Sequence, residues 1–236
     1  MGNNMRKRLY RGVSVTEGAG QYLIAIDDEP IRTPAKALLT TPYKRLAEAV
    51  VEEWENQGSQ IDTQSMPLTK ILNTLIDRVI PERVEIIQEL VVLAETDLLC
   101  YRASHPLDLR IKQDTVWQPV LDWLLSFHGV GLAVAEGVMP LGLSGRDGKE
   151  LKTVVSSVSS YTLTIVQLVA ANTGSLALGL AFAEGRLTAA ETLAAAQLDE
   201  IYQMETWGED IALLAEHKRL EGVLLSAERF LHLVRH

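Results

Sequence analysis

LTIVQLVAANTGSLALGLAFAEG, residues 163–185, is the most apolar stretch of the chain. Its reading decides between a membrane protein and a helical globular one. A membrane-spanning helix needs roughly twenty apolar residues without polar breaks. Here Asn172, Thr173 and Gly174 interrupt the run. Two packed helices are therefore expected, with Ser175 as the N-cap of the second and no membrane insertion.

The surroundings share that helical character from about Ser65 onward. Pro67, Pro81 and Pro106 each stand where a proline is tolerated in a first helical turn. The run LDLRIKQDTVWQPVLDWLLSFHG (107–129) contains Pro119, which is expected to kink or split its helix. The glycine-rich stretch 129–148 reads as an extended connection with room for a short strand. Asp147-Gly148-Lys149-Glu150 then fits a capping box for a helix over 149–171, and Thr188-Ala189-Ala190-Glu191 fits a second. That second helix is expected to continue through DEIYQMETWGED (199–210), with a last helix over about 217–233 and no internal repeat.

The first sixty residues differ. RLYRGVSV (8–15) and QYLIAID (21–27) alternate apolar with polar residues, bounded by turn chemistry at 17–20 and 27–28. Pro30, Pro34 and Pro42 hold the following pieces extended. Thr41 reads as the N-cap of a helix over 43–57, with Pro42 at its first position and Gly58 ending it. The fold class is α+β: a small N-terminal β-rich domain with one helix over 6–62, then a mostly α-helical bundle over 63–236.

Composition removes several functions. The chain has 236 residues, 47% of them hydrophobic, and a net charge of −9. Nucleic-acid binding needs a basic footprint, so that charge argues against it. Cys100 is the only cysteine, which rules out an intrachain disulfide and a thiolate metal cage. A buried structural thiol is its expected state. The basic start MGNNMRKRLYRG has no apolar run behind it, and Arg6 spoils the myristoylation pattern that Gly2 suggests. A bacterial cytoplasmic location is expected, with the mitochondrial matrix for eukaryotic relatives.

Motifs of catalysis are missing or broken. In GLSGRDGKE, Leu143 stands where a phosphate-binding loop has its first glycine, and Glu150 where it has the magnesium-holding hydroxyl. His105, His128, His217, His232 and His236 are scattered without metal-ligand spacing. No cofactor and no metal are expected.

The stretch 199–210 carries five carboxylates. On one continuous helix, Leu198, Ile201, Met204, Gly208, Ile211 and Ala215 form a core stripe. Asp199, Gln203 and Asp210 then face away, Glu200 and Trp207 share a flank, and Glu205 lies at the stripe's edge. Carboxylates of a two-metal or acid/base site must converge, and these fan out. A large aromatic ring beside carboxylates outside the core stripe suits a protein-binding hot spot instead. Gly208 in a helix interior would cost about 1 kcal/mol and calls for a reason, such as close approach of another backbone.

Five blocks together carry a resemblance: PIRTPAK (30–36), AVVEEWENQG (49–58), MPLTKILNTLIDRV (66–79), TDLLCYR (96–102) and DEIYQMETWGED. They resemble, in order and over nearly the whole chain, the assembly chaperones of the F(1) sector of ATP synthase, the family that attends the α subunit. The resemblance implies a small N-terminal α/β domain followed by an orthogonal helical bundle, and a non-enzymatic chaperone that is monomeric when free. It places weight on a carboxylate matching Asp199, with Glu200 adjacent, and on Trp54. Partner contacts are expected from Asp199, Glu200, Gln203, Trp207 and Asp210, with Trp54, Arg32 and Glu205 either structural or in contact. Trp54 continues the apolar face of its helix, so a core position is expected for it. Two alternatives remain at this point. One is a carboxylate enzyme built from Glu200, Glu205 and Asp97 or Asp77; the other is an interaction module with another partner.

Overall fold

A computed structural model describes residues 6–137 and 142–235. Gly2, His236 and positions 138–141 of the glycine-rich connection lie outside the described residues. The chain folds as an α+β protein, β-rich first and helical after. Its contacts define two units, Met1–Glu82 with Arg229–His236, and Arg83–Glu228. The boundary expected at 62–63 comes earlier than this division.

Unit 1 runs β1 (Arg6–Lys7), β2 (Val13–Gly18), β3 (Gln21–Ile26), β4 (Glu29–Pro30), β5 (Thr40–Thr41), α1 (Lys44–Glu55), β6 (Gln60–Ile61) and α2 (Pro67–Thr74). The alternation seen in sequence produces the β2–β3 hairpin, in register from Val13↔Ile26 to Gly18↔Gln21. β4 and β5 both pair with β3, and β1 pairs with β6. α1 buries Leu46, Ala47, Ala49, Val50 and Glu53, a stripe at helical spacing.

Thr41 does not cap α1. Tyr43 is the N-cap, and Thr41 is a buried strand residue paired with Tyr22. Sheet pairing fixes its backbone, and its hydroxyl accepts the Tyr43 N–H at 3.3 Å.

Glu53 explains why α2 belongs with the sheet. Met66, the N-cap of α2, offers no side-chain acceptor. The Glu53 carboxylate takes that role from α1, accepting the N–H groups of Leu68 (2.7 Å) and Thr69 (2.8 Å) and the Thr69 hydroxyl (2.7 Å). Burial pushes the Glu53 carboxyl up, while the bonds from Thr69 and Leu68 pull it down. Replacing Glu53 by alanine should leave two helix-end donors unsatisfied and lower stability by about 2–3 kcal/mol. Chemical denaturation read by circular dichroism would check this; an unchanged midpoint would mean that water replaces the cap.

Beyond α2, residues 75–79 form a π turn, and Ile80 N–H bonds the Leu75 carbonyl at 2.9 Å. That turn delays the next helix, which begins at Arg83 rather than at Pro81.

Unit 2 comprises α3 (Arg83–Leu93), β7 (Tyr101–Arg102), α4 (Leu107–His128), β8 (Ala135–Glu136), α5 (Gly145–Ser157), α6 (Ser160–Thr173), α7 (Leu176–Ala183), α8 (Ala189–Ala196), α9 (Leu198–Trp207) and α10 as far as Glu228, the helix itself spanning Ile211–Arg235. β7 and β8 pair in parallel. Pro106 is the N-cap of α4 and stands outside its first turn. Pro119 does not split α4. Its ring is exposed, and water can hydrate the Thr115 carbonyl that lacks its amide partner.

The expected helix over 149–171 is two helices. Ser144, not Asp147, caps α5, and Ser159 caps α6. Asp147 sits in the first turn of α5, accepting the N–H of Gly131 at 2.9 Å.

The opening stretch forms the centre of this unit. α6 ends at Gly174, Ser175 caps α7 as expected, and every residue of α7 is buried. A Cβ on Gly179 would lie 2.8 Å from the Val166 carbonyl oxygen, so glycine allows α7 to pack directly on α6. Among the described residues no helix is long and apolar enough to cross a membrane.

Asp97 joins the segment before β7 to α7. It is fully buried, accepting the N–H of Leu99 and of Ala177, each at 3.0 Å. Arg102, also buried, donates to the Leu99 carbonyl, pairs with Asp114 at 2.9 Å and lies over the Trp117 ring. Cys100 is buried and its thiol is pushed up to about 12, by burial first and then by Asp97. Such a thiol is unreactive at neutral pH.

Candidate functional site

The complete Thr188–Glu191 capping box opens α8, but the helix does not continue through 199–210. Gln197, at φ −113° and ψ 27°, separates α8 from α9. The break resets the phase, so the buried residues of α9 are Leu198 and Tyr202. Ile211 is 87% exposed instead of lying in the core. Gly208 is not in a helix interior either: it ends α9 at φ +101°, and a Cβ there would meet nothing within 4 Å. A left-handed backbone, not close approach, is the reason for glycine.

α9 is fastened to α4 by a ladder of polar contacts. The buried Gln113 amide donates to Asp199 at 2.8 Å and accepts the Ala103 N–H at 2.7 Å. Tyr202 donates its hydroxyl to Asp108 at 2.8 Å, and this bond holds the Asp108 carboxyl below the usual carboxylate range. Lys112 pairs with Glu205 at 2.6 Å, which holds its ammonium above the usual lysine range. The Trp117 indole N–H reaches the Ala195 carbonyl at 2.8 Å, fixing the end of α8 to the same helix.

An apolar groove of about 310 Å³ lies beside this ladder, between Ile111, Thr115 and Val116 of α4 and Ala194, Leu198, Ile201 and Tyr202 of α8 and α9. Ile111 is 56% exposed and Val116 37%. A second hollow of about 230 Å³ shares Ala194 and Ile201 and adds Leu193 and Leu225. Trp207, 77% exposed, stands with Ile211 at the corner where α9 passes into α10. Exposed apolar surface of this kind is a common feature of interaction sites.

The residues singled out in sequence do not all gather here. Asp199 and Glu200 are half-buried on α9, and Gln203 is exposed. Glu205 is held by Lys112. Asp210 accepts the N–H groups of Ala212 and Leu213 at the start of α10. Trp54 and Arg32 lie in unit 1. Trp54 is half-buried rather than core; its neighbour Glu53 takes the buried position, and Tyr10 stands edge-on to the indole at 6.1 Å. Arg32 donates to the Lys36 carbonyl at 2.8 Å and closes its own turn.

The carboxylates of a supposed enzyme have separate employment. Asp77 accepts from Thr33 (2.5 Å) and the Ala35 N–H (2.9 Å) in unit 1, whereas Asp97 is enclosed in unit 2. Among the described residues no three His, Cys, Asp or Glu side chains gather as metal ligands. Sequence reasoning missed Ile111, Val116 and Gln113. The first two gave a signal, being apolar residues outside the Trp117, Val120, Leu121 and Leu124 face of α4.

The Gln113 bond makes the half-buried Asp199 a structural acceptor. Asp199→Asn keeps an oxygen for that amide and should melt close to wild type. Asp199→Lys removes it and should lose about 1–3 kcal/mol. Thermal melts of both variants check this, and equal melting would refute the structural role.

One family model and three solved structures are similar to this chain. The family model described as ATP12 chaperone protein matches residues 7–125. The crystal structure of Atp12 from Paracoccus denitrificans is 33% identical, with 98% of this chain and 99% of that chain covered at a TM-score of 0.91. An aspartate-to-lysine mutant of the same Paracoccus protein matches at 33% identity, 98% of both chains and a TM-score of 0.91. The Atu1473 protein of Agrobacterium tumefaciens, itself described as a candidate chaperone, matches at 32% identity, 98% of this chain, 87% of that chain and 0.90.

Proposed function

This chain belongs to the ATP12 chaperone family of ATP synthase assembly, and on that premise we propose that it binds the unassembled α subunit of the F(1) sector and holds it ready to join the β subunit. The observation that carries this reading is the apolar groove along α4, α8 and α9, together with the exposed Trp207 and Ile211 beyond it in sequence. An unassembled subunit exposes apolar interface, and burying it against such a surface supplies affinity without nucleotide hydrolysis. The net charge of −9 favours encounter with basic groups that a nucleotide-binding client presents before assembly. The free chaperone is a monomer in this reading, acts as a binding protein rather than an enzyme, and releases its client when the β subunit competes for the same face.

At an equimolar ratio the purified protein should suppress light scattering from α subunit diluted out of denaturant, and the two should co-elute from a sizing column. Unchanged scattering together with separate elution would overturn the proposal. Capture of a different protein instead of α from a lysate would support an interaction module with another partner.

A further inference from the structure

We infer that the turn over residues 33–37 is a rigid basic contact for a carboxylate on the surface of the client protein, with Lys36 and Arg32 as its two cations. This rests on the chaperone reading above and adds to it a contact in unit 1.

The backbone asks for a residue that the sequence does not supply. Lys36 N–H closes a turn on the Thr33 carbonyl at 2.9 Å, and Thr33 N–H bonds the Ala37 carbonyl at 2.9 Å. Pro34 holds the second position of that turn, where its fixed φ is favoured. The pattern is a three-residue hairpin loop whose last member is left-handed, a place ordinarily held by glycine. Here it is Lys36, at φ +75°. Among the described residues Asp27, Asp28 and Ala19 also have positive φ without being glycine. Aspartate tolerates that backbone, and alanine brings only a methyl group. Lys36 puts a long charged side chain on it.

The chain compensates from a distance. Asp77, on the π turn after α2, accepts the Ala35 N–H at 2.9 Å and the Thr33 hydroxyl at 2.5 Å. That hydroxyl in turn accepts the Ala37 N–H at 3.1 Å. Arg32 pins the other side by donating to the Lys36 carbonyl at 2.8 Å. The N–H groups of Thr33, Ala35, Lys36 and Ala37 are thus all bonded, and the turn is preorganised for binding. A mere connection would be made more easily with glycine at position 36 and would need no brace. A strained lysine held in one place suits a contact residue.

Charge names the partner. Lys36 and Arg32 are exposed, and among the described residues neither is in an ion pair. Asp77 sets one negative charge against their two, and its oxygens are engaged by Thr33 and Ala35. Arg32 uses Nη1 alone, so Nε and Nη2 remain donors for a carboxylate. A nucleic acid or an anionic membrane would have to approach a chain of net charge −9, whereas one carboxylate of a protein needs only these two donors.

The test titrates labelled chaperone with α subunit at low and high salt, beside thermal melts. The variants are Lys36→Gly, Lys36→Gln, Lys36→Arg and, as a control, Lys152→Gln at an exposed lysine of α5. Lys36→Gly should melt no lower than wild type, because it relieves the backbone, and still bind α about tenfold more weakly. Lys36→Gln should lose as much, while Lys36→Arg and Lys152→Gln stay within about threefold. Wild-type affinity should fall with salt more steeply than that of Lys36→Gln. A lower melt for Lys36→Gly would show that the lysine serves the fold. Binding within about threefold by Lys36→Gly or Lys36→Gln would show that its charge is not read. Either result overturns the inference and leaves the proposed function standing. A loss of about tenfold by Lys152→Gln overturns it too, as a diffuse charge effect. Failure of the wild-type chain to bind α overturns the proposed function, and this contact with it.

Discussion

Asp97→Ala is expected to destabilise unit 2 by about 3–5 kcal/mol, the largest stability loss of any single substitution argued for this chain. Its carboxylate accepts the Leu99 N–H with one oxygen and the Ala177 N–H with the other, at a site closed to water. Alanine strands both donors, and each buried donor without a partner costs about 1–3 kcal/mol. The loss at Ala177 falls on the first turn of α7, where a carboxylate also meets the positive end of the helix. Burial pushes the Asp97 carboxyl up, and the bonds from Ala177, Ser175, Leu99 and Leu176 pull it back down. Asparagine restores one acceptor and presents an amide to the second donor, so Asp97→Asn should fall between wild type and alanine. Urea denaturation of the three proteins checks the order. If asparagine matched wild type, the second oxygen would contribute nothing and the bridging account would be wrong.

Asp97 also shows where the sequence stops being legible. Local chemistry was readable: the β2–β3 hairpin from its alternation, the α6–α7 break from Gly174-Ser175, the α8 start from Thr188 and Glu191. In each case the partners are a few positions apart. Glu53 and Asp97 accept from the first turns of helices, at residues 15 and 80 positions away. No spacing rule connects such groups, so the blocks containing them read as motifs without a visible task. In three dimensions those tasks are largely internal, namely a cap for α2, a bridge to α7 and a tie from Asp77 to the Thr33 turn.

The docking surface was half legible for a related reason. Aromatic and acidic residues of 199–210 stood out by type, and Trp207 is indeed exposed. Their arrangement depended on a break at Gln197 that has no glycine or proline to announce it. Treating 188–215 as one helix placed Ile211 in the core and hid the contribution of α4. Once the phase is reset at Gln197, Leu198 and Tyr202 turn inward and Ile201 lines the groove. The acids lie along α9 and in the connection before α10.

Replacing Trp207 by alanine and Ile211 by serine together is expected to weaken α-subunit capture at least about 100-fold, close to 3 kcal/mol, with little change in stability. The two parts of that expectation have one cause. Side chains 77% and 87% exposed contribute little to the folded chain alone, because water still covers them, yet each can bury a large apolar area against a partner. The ring of Trp207 is rigid and loses little rotamer freedom on docking, which is why tryptophan dominates many interfaces. Gly208 turns the chain between them at φ +101°. Titration of labelled chaperone with α subunit, alongside thermal melts, separates the outcomes. Weaker capture with an unchanged melt is the expected result. Unchanged capture would make the exposure of both residues incidental, and a lowered melt would show that the corner is part of the fold.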